Sequence, residues 1–114
     1  MKPEYEHLIV QIENCKDYIC SAIEEKINEK GYLGYEEIEH IIQKSLKMYL
    51  KRNPKKIKSV VNVMWWIFAT PNYRIFVSLN GKEDRSGIYS FSKEKVEEEF
   101  KKYFNILMER LLSL

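Results

Sequence analysis

Apolar residues at Tyr5, Leu8, Ile12, Cys15, Ile19 and Ala22 recur at alternating intervals of three and four, and Ile9, Ile23 and Ile27 widen the stripe. That spacing predicts a long amphipathic helix over about residues 4–29. Lys30-Gly31 closes it, because glycine readily takes the left-handed conformation of a C-cap. After a brief segment over 31–35, short enough for a connector or a single small strand, a second helix is expected from Glu36 to about Leu50, burying Ile38, Ile41, Ile42, Ser45 and Tyr49. Its acids Glu36, Glu37 and Glu39 and its bases Lys47 and Lys51 are distributed as the helix dipole favours.

Asn53-Pro54 is the clearest punctuation in the chain, with Asn suited to the N-cap and Pro to the first helical position. A third helix therefore starts at Pro54, with a core stripe of Ile57, Val60, Val61, Met64, Ile67 and Phe68, and Thr70-Pro71-Asn72 stops it. There the period changes from helical to alternating. Tyr73–Leu79 sets Ile75, Val77 and Leu79 against Phe76 and Ser78, and Gly87–Ser92 contributes Ile88, Tyr89 and Phe91, so the two read as a hairpin with a long polar tip. Ser92 is the expected N-cap of a last helix over about 93–112, which carries Val96, Phe100, Tyr103, Phe104, Leu107, Met108, Leu111 and Leu112.

These elements define a mostly α fold with one β-hairpin, an α+β class, in a single domain over 1–114. Composition agrees: 45% hydrophobic and 32% charged residues with four Gly and three Pro leave no room for low-complexity or disordered character. The longest apolar run, Val63 to Ala69, is far short of the roughly 20 residues of a membrane span, and the amino terminus has no signal-peptide pattern. The expectation is an intracellular, cytoplasmic protein with no membrane partner. Cys15 and Cys20 lie about 140° apart on one helix, which precludes a mutual bridge.

Charge changes the picture most. The net value of +2 conceals −6 over residues 1–40, +8 over 41–92 and zero over 93–114. No carboxylate stands between Glu39 and Glu83. Segregation on this scale costs self-repulsion in the folded state, so an anionic partner is the natural explanation. The alternative is internal neutralisation, with the acidic first helix folded against the basic middle.

Helix, connector, helix, tight turn, helix, hairpin, helix is the element order of a winged helix-turn-helix domain. The stretch Tyr73-Arg-Ile-Phe-Val-Ser-Leu to Gly87-Ile-Tyr-Ser-Phe-Ser resembles the two wing strands that follow a recognition helix, here the helix opened by Asn53-Pro54. The match covers about residues 19–92, with long terminal helices added. In size and in its usage of 15 Lys against 4 Arg, 13 Ile, 8 Tyr and one Thr, the chain is similar to the small winged-helix proteins of crenarchaeal viruses and plasmids.

That resemblance implies a sequence-specific double-stranded DNA-binding protein, a transcription regulator with the third helix in the major groove and the wing on the backbone or minor groove. At 100° per residue, Lys55, Lys58, Ser59, Asn62 and Trp66 would face outward. Lys55 and Lys58 suit phosphate or guanine, and Ser59 and Asn62 suit base edges. Lys51, Arg52 and Lys56 would hold the backbone, with Lys82 and Arg85 at the wing tip reaching a neighbouring groove. Trp65 is expected in the core and Trp66 at an interface. The stripes of the terminal helices suit pairing, so a homodimer on a palindromic site is expected. A competing reading is a module that binds protein, or inhibits a nucleoprotein complex, through the same basic face.

Enzymatic chemistry finds no support. His7 and His40 lack partners at metal-ligand spacing, so no metal or other cofactor is expected, and both should face solvent. Gly31-Tyr-Leu-Gly34 lacks the Lys and Ser/Thr of a phosphate loop. Glu97-Glu98-Glu99 reads as a solvated helix face.

Overall fold

The structure is a computed structural model and describes residues 3–51, 54–81 and 85–113. The expected N-cap Asn53 and the candidate residues Arg52 and Lys82 lie outside the described residues. Four helices and one antiparallel hairpin make up the rest: α1 (Pro3–Lys30), α2 (Tyr35–Leu50), α3 (Pro54–Phe68), β1 (Tyr73–Arg74), β2 (Gly87–Ile88) and α4 (Lys93–Leu112). The helices stand where the apolar periodicity puts them, and the α+β class holds.

Local chemistry explains the helix ends. Gly31 takes φ 75° after α1 and donates its N–H to the Ile27 carbonyl at 2.7 Å. Lys51 adopts φ 46° at the end of α2, a left-handed cap that a non-glycine residue enters at some cost. Ser92 accepts a 3.4 Å hydrogen bond from the Lys95 N–H, as an N-cap should. Asn72 ties the hairpin root to this cap: its Oδ1 accepts from the Ser92 N–H at 2.9 Å.

The connector between α1 and α2 supplies a third extended segment. Leu33 and Ile88 exchange both backbone hydrogen bonds at 2.9 Å in an isolated antiparallel bridge, so β2 lies between the connector and β1. Gly87 permits this approach, since a Cβ there would stand 2.3 Å from the Leu33 carbonyl oxygen.

The hairpin departs from expectation. Only Tyr73 and Arg74 pair with Ile88 and Gly87, although the alternating pattern predicts strands over Tyr73–Leu79 and Gly87–Ser92. Ser86 extends the association by one step, its Oγ accepting from the Phe76 N–H at 2.9 Å and donating to the Phe76 carbonyl at 3.4 Å. Beyond it Ile75, Val77 and Leu79 are 76%, 80% and 96% exposed. The alternation is real, but these apolar side chains are not covered by any described part of the chain.

α3 is the central helix. It packs on α2 at one side and, more extensively, on α4 at the other, while α1 packs on α2. This two-sided packing buries Ile57, Val60, Val63, Met64, Ile67 and Phe68 of α3. Val63 thus joins the core, and Val61, expected there, is only half-buried because it lies at the margin of the buried arc. Phe100, Leu107, Met108 and Leu111 of α4 are buried within the same chain, so most of the stripe read as suited to pairing between protomers is already covered. Leu112 is exposed.

Lys16 joins α1 to α4. Its Nζ is 2.9 Å from both Glu13 and Glu97 carboxylates and lies 4.9 Å from the Phe100 ring centre. Burial opposes the charge, yet the hydrogen bonds to Glu97 and Glu13 outweigh it, and the ammonium pKa is raised. Cys15 and Cys20 are free and buried, and desolvation pushes each thiol up to about 12. Among the described residues no helix is long and apolar enough to cross a membrane.

Candidate nucleic-acid interface

The face of α3 opposite the core carries the candidate residues. Lys55, Lys58, Ser59, Asn62 and Trp66 are all exposed, and Lys56 is half-buried on the flank toward α4. Lys51 is exposed at the end of α2. A straight helix places these α3 residues outward once Ile57, Met64 and Phe68 are inward, so the 100° arithmetic and the burial agree.

The charge on α3 runs against its own dipole. Its first turn contains no acid, while Lys55, Lys56 and Lys58 crowd the end where the unsatisfied N–H groups already make a partial positive charge. α1 and α2 follow the usual preference, with Glu4 and Glu6, and Glu36 and Glu37, in their first turns. At α3 the chain therefore forgoes on the order of 0.3 kcal/mol or more per misplaced charge, with no acid in the first turn to offset it.

Among the described residues four ion pairs lie away from α3. The four ion pairs among the described residues join Lys16 to Glu13 and Glu97, Lys26 to Glu29, and Lys30 to Glu37, and none of the four involves α3. The carboxylates of α1 that are paired are thus engaged by lysines of α1 itself.

Ser59 is exposed, but its hydroxyl is committed: Oγ donates to the Lys56 carbonyl at 2.7 Å. In this state it can offer an outside partner only acceptor lone pairs. Asn62 retains the amide pattern that matches adenine in a major groove.

Arg85 lies apart from this face. Its guanidinium carbon is 6.0 Å from the centre of the Tyr32 ring, and the Tyr89 hydroxyl donates to its backbone carbonyl. Tyr32 and Tyr89 pack at 4.9 Å, and Phe76 meets Tyr89 edge-on at 5.7 Å. The Arg85 guanidinium thus stands over the Tyr32 ring of the connector, on the loop side of the paired Gly87.

Trp65 is half-buried between Tyr35 and Tyr73, at 4.6 and 5.5 Å. Trp66 is 42% exposed and packs on Tyr103 of α4 at 5.8 Å. The interface expected of Trp66 is, in this chain, a contact between its own helices. His7 and His40 are both exposed.

Sequence reading misses the contribution of α4. The helix runs antiparallel to α3, with Tyr103 beside Trp66 and Arg110 beside Ser59. Arg110 Nη1 donates to the Ser59 carbonyl at 3.1 Å. With Lys55, Lys56, Ser59 and Ser113 it lines a cleft of about 460 Å³. No local pattern points to Arg110, because Ser59 is 51 residues away in sequence. Comparison with protein-family models, with curated proteins and with solved structures gives no match.

Proposed function

We propose that this chain is a double-stranded DNA-binding protein of the winged helix-turn-helix kind, a transcription regulator that lays α3 in the major groove and the hairpin on the backbone or in the minor groove. The observation that carries the reading is the exposed face of α3, where Lys55 and Lys58 flank Asn62 with no carboxylate on the helix and with cations at the end that favours anions. A partner bearing closely spaced negative charge and hydrogen-bonding edges answers both features. The Leu33–Ile88 bridge supports the winged arrangement, because it sets the connector, β2 and β1 side by side next to the α2–α3 pair.

Two copies on a palindromic site remain part of the proposal. The apolar surface for pairing is reduced to exposed positions such as Val10, Ile106 and Leu112, since α3 takes up the rest of the α4 stripe.

A gel shift with mixed duplex fragments at two salt concentrations tests the reading. With about six phosphates contacted, raising salt from roughly 50 to 200 mM weakens binding about a thousandfold. A second reading, docking on an acidic protein, is favoured by the bare arm at Ile75, Val77 and Leu79. Absence of duplex binding at low salt replaces the first reading with the second.

A further inference from the structure

We infer that the cleft between the first turn of α3 and the last turn of α4 is a seat for a DNA backbone phosphate, and that Arg110, outside the reading helix, is its principal donor. The inference rests on the reading of α3 as a DNA-contacting helix and adds to it a second helix and a defined contact.

The cleft gathers Lys55, Lys56 and Ser59 from α3 with Arg110 and Ser113 from α4, and no carboxylate is among its described lining residues. Both hydroxyls are turned to their own helices, Ser59 to the Lys56 carbonyl and Ser113 to the Arg110 carbonyl at 3.5 Å. The side-chain donors that remain in the cleft are cationic. Arg110 is held in place, because Nη1 is bound to the Ser59 carbonyl. A guanidinium has five N–H groups in a rigid plane, so anchoring one of them aims the others without using them. An anchored fork loses less freedom on binding than a lysine side chain does.

Position makes the anion a backbone phosphate. A helix with its side chains is about 10–12 Å across and the major groove is about 12 Å wide, so the flanks of an inserted helix meet the two phosphate strands while its crest meets bases. Asn62 lies on the outward crest of α3. Lys55 and Ser59 are exposed on that same face and also line the cleft, which places the cleft on the adjoining flank toward α4. The α4 end is thus set where one strand would pass.

The test uses the full chain and a random-sequence duplex, read by fluorescence anisotropy over a salt series. Arg110→Gln should weaken binding roughly tenfold and lower the slope of log affinity against log salt by about 0.9. Arg110→Lys should restore most of the slope and only part of the affinity, because the charge returns without the fork. Lys101→Ala, which removes a charge from an exposed position of α4, should change the affinity less than twofold. If the parent chain binds duplex and Lys58→Ala weakens it while Arg110→Gln behaves as Lys101→Ala does, the cleft is not a phosphate seat and the DNA reading stands. If the parent chain binds no duplex, both fall. Should Arg110→Gln fail to fold, amide shifts of the unaltered chain on duplex titration decide: movement at 55–59 together with 110–113 supports the seat, and unmoved 110–113 overturns it.

Discussion

Replacing Asn62 by Ala separates base reading from backbone attraction. The side chain is exposed on α3, so truncation removes little packing, and Ala is the better helix former by roughly half a kcal/mol. The melting temperature should hold or rise, and any loss of binding is then a loss of contact. A bidentate Asn–adenine pair is worth about 1–3 kcal/mol of discrimination, which is roughly 5- to 150-fold on the preferred site at about 1.4 kcal/mol per decade. Non-specific duplex should be bound as before, and the salt slope should not change. Lys58→Ala should behave in the opposite way, weakening all sequences about equally and lowering the slope by about 0.9. The assay is selection of a preferred site from random duplexes, followed by competition between that site and random DNA at two salt concentrations. If both variants weaken specific and non-specific DNA in the same ratio, α3 does not read bases. If neither has any effect, the basic face serves a protein partner.

Gly87→Ala should destabilise the fold by about 2 kcal/mol or more in urea unfolding, because the new methyl would meet the Leu33 carbonyl at 2.3 Å; an unchanged midpoint would contradict the bridge. Ending the chain after Phe91 strips α3 of the helix it packs on most, so the product should be insoluble or molten; a soluble, cooperatively melting fragment would refute the packing, and one that keeps the parent's oligomeric state would refute a dimer built on α4. Stability should fall as pH rises from about 9 toward 12, because the unfolded chain releases the Cys15 and Cys20 protons that the folded chain retains, and Lys16, with its raised pKa, acts with the same sign; a thermal-melt midpoint that does not fall over this range would contradict the burial of the thiols. In the native state both thiols should resist a disulfide reagent at pH 8 and react in urea; rapid native reaction would place them at the surface.

The helices were legible because each rule behind them is local. The stripe from Leu8 to Ile23, the left-handed Gly31, Pro54 at a helix start and the Ser92 cap all act within a turn or two of chain. The hairpin was half-legible for the opposite reason. Alternation at Ile75, Val77 and Leu79 states that the chain can present one apolar face, but not that anything lies opposite it, and here all three stay exposed. The margin of the α3 core failed similarly. The expected stripe of Ile57, Val60, Val61, Met64, Ile67 and Phe68 holds except at its edges, where packing by both α2 and α4 brings Val63 in and leaves Val61 half-buried.

The candidate site divides along the same line. Its crest could be read from sequence because exposure of Lys55, Lys58 and Asn62 follows from helix geometry and the inward residues alone. The committed hydroxyl of Ser59 was within reach as well, since serine inside a helix commonly bonds back to a carbonyl three or four residues earlier. Arg110 was not, because only the antiparallel return of α4 brings it to Ser59. The basic middle segment could have been explained by the acidic first helix folding over it, and sequence alone left that open. Among the described residues α1 packs on α2, and its ion-paired carboxylates meet lysines of its own helix. Lys55 and Lys58 stand exposed on α3, and α4 brings the Arg110 cation beside Lys55 and Lys56 at the cleft, a juxtaposition that only the antiparallel packing of the two helices creates.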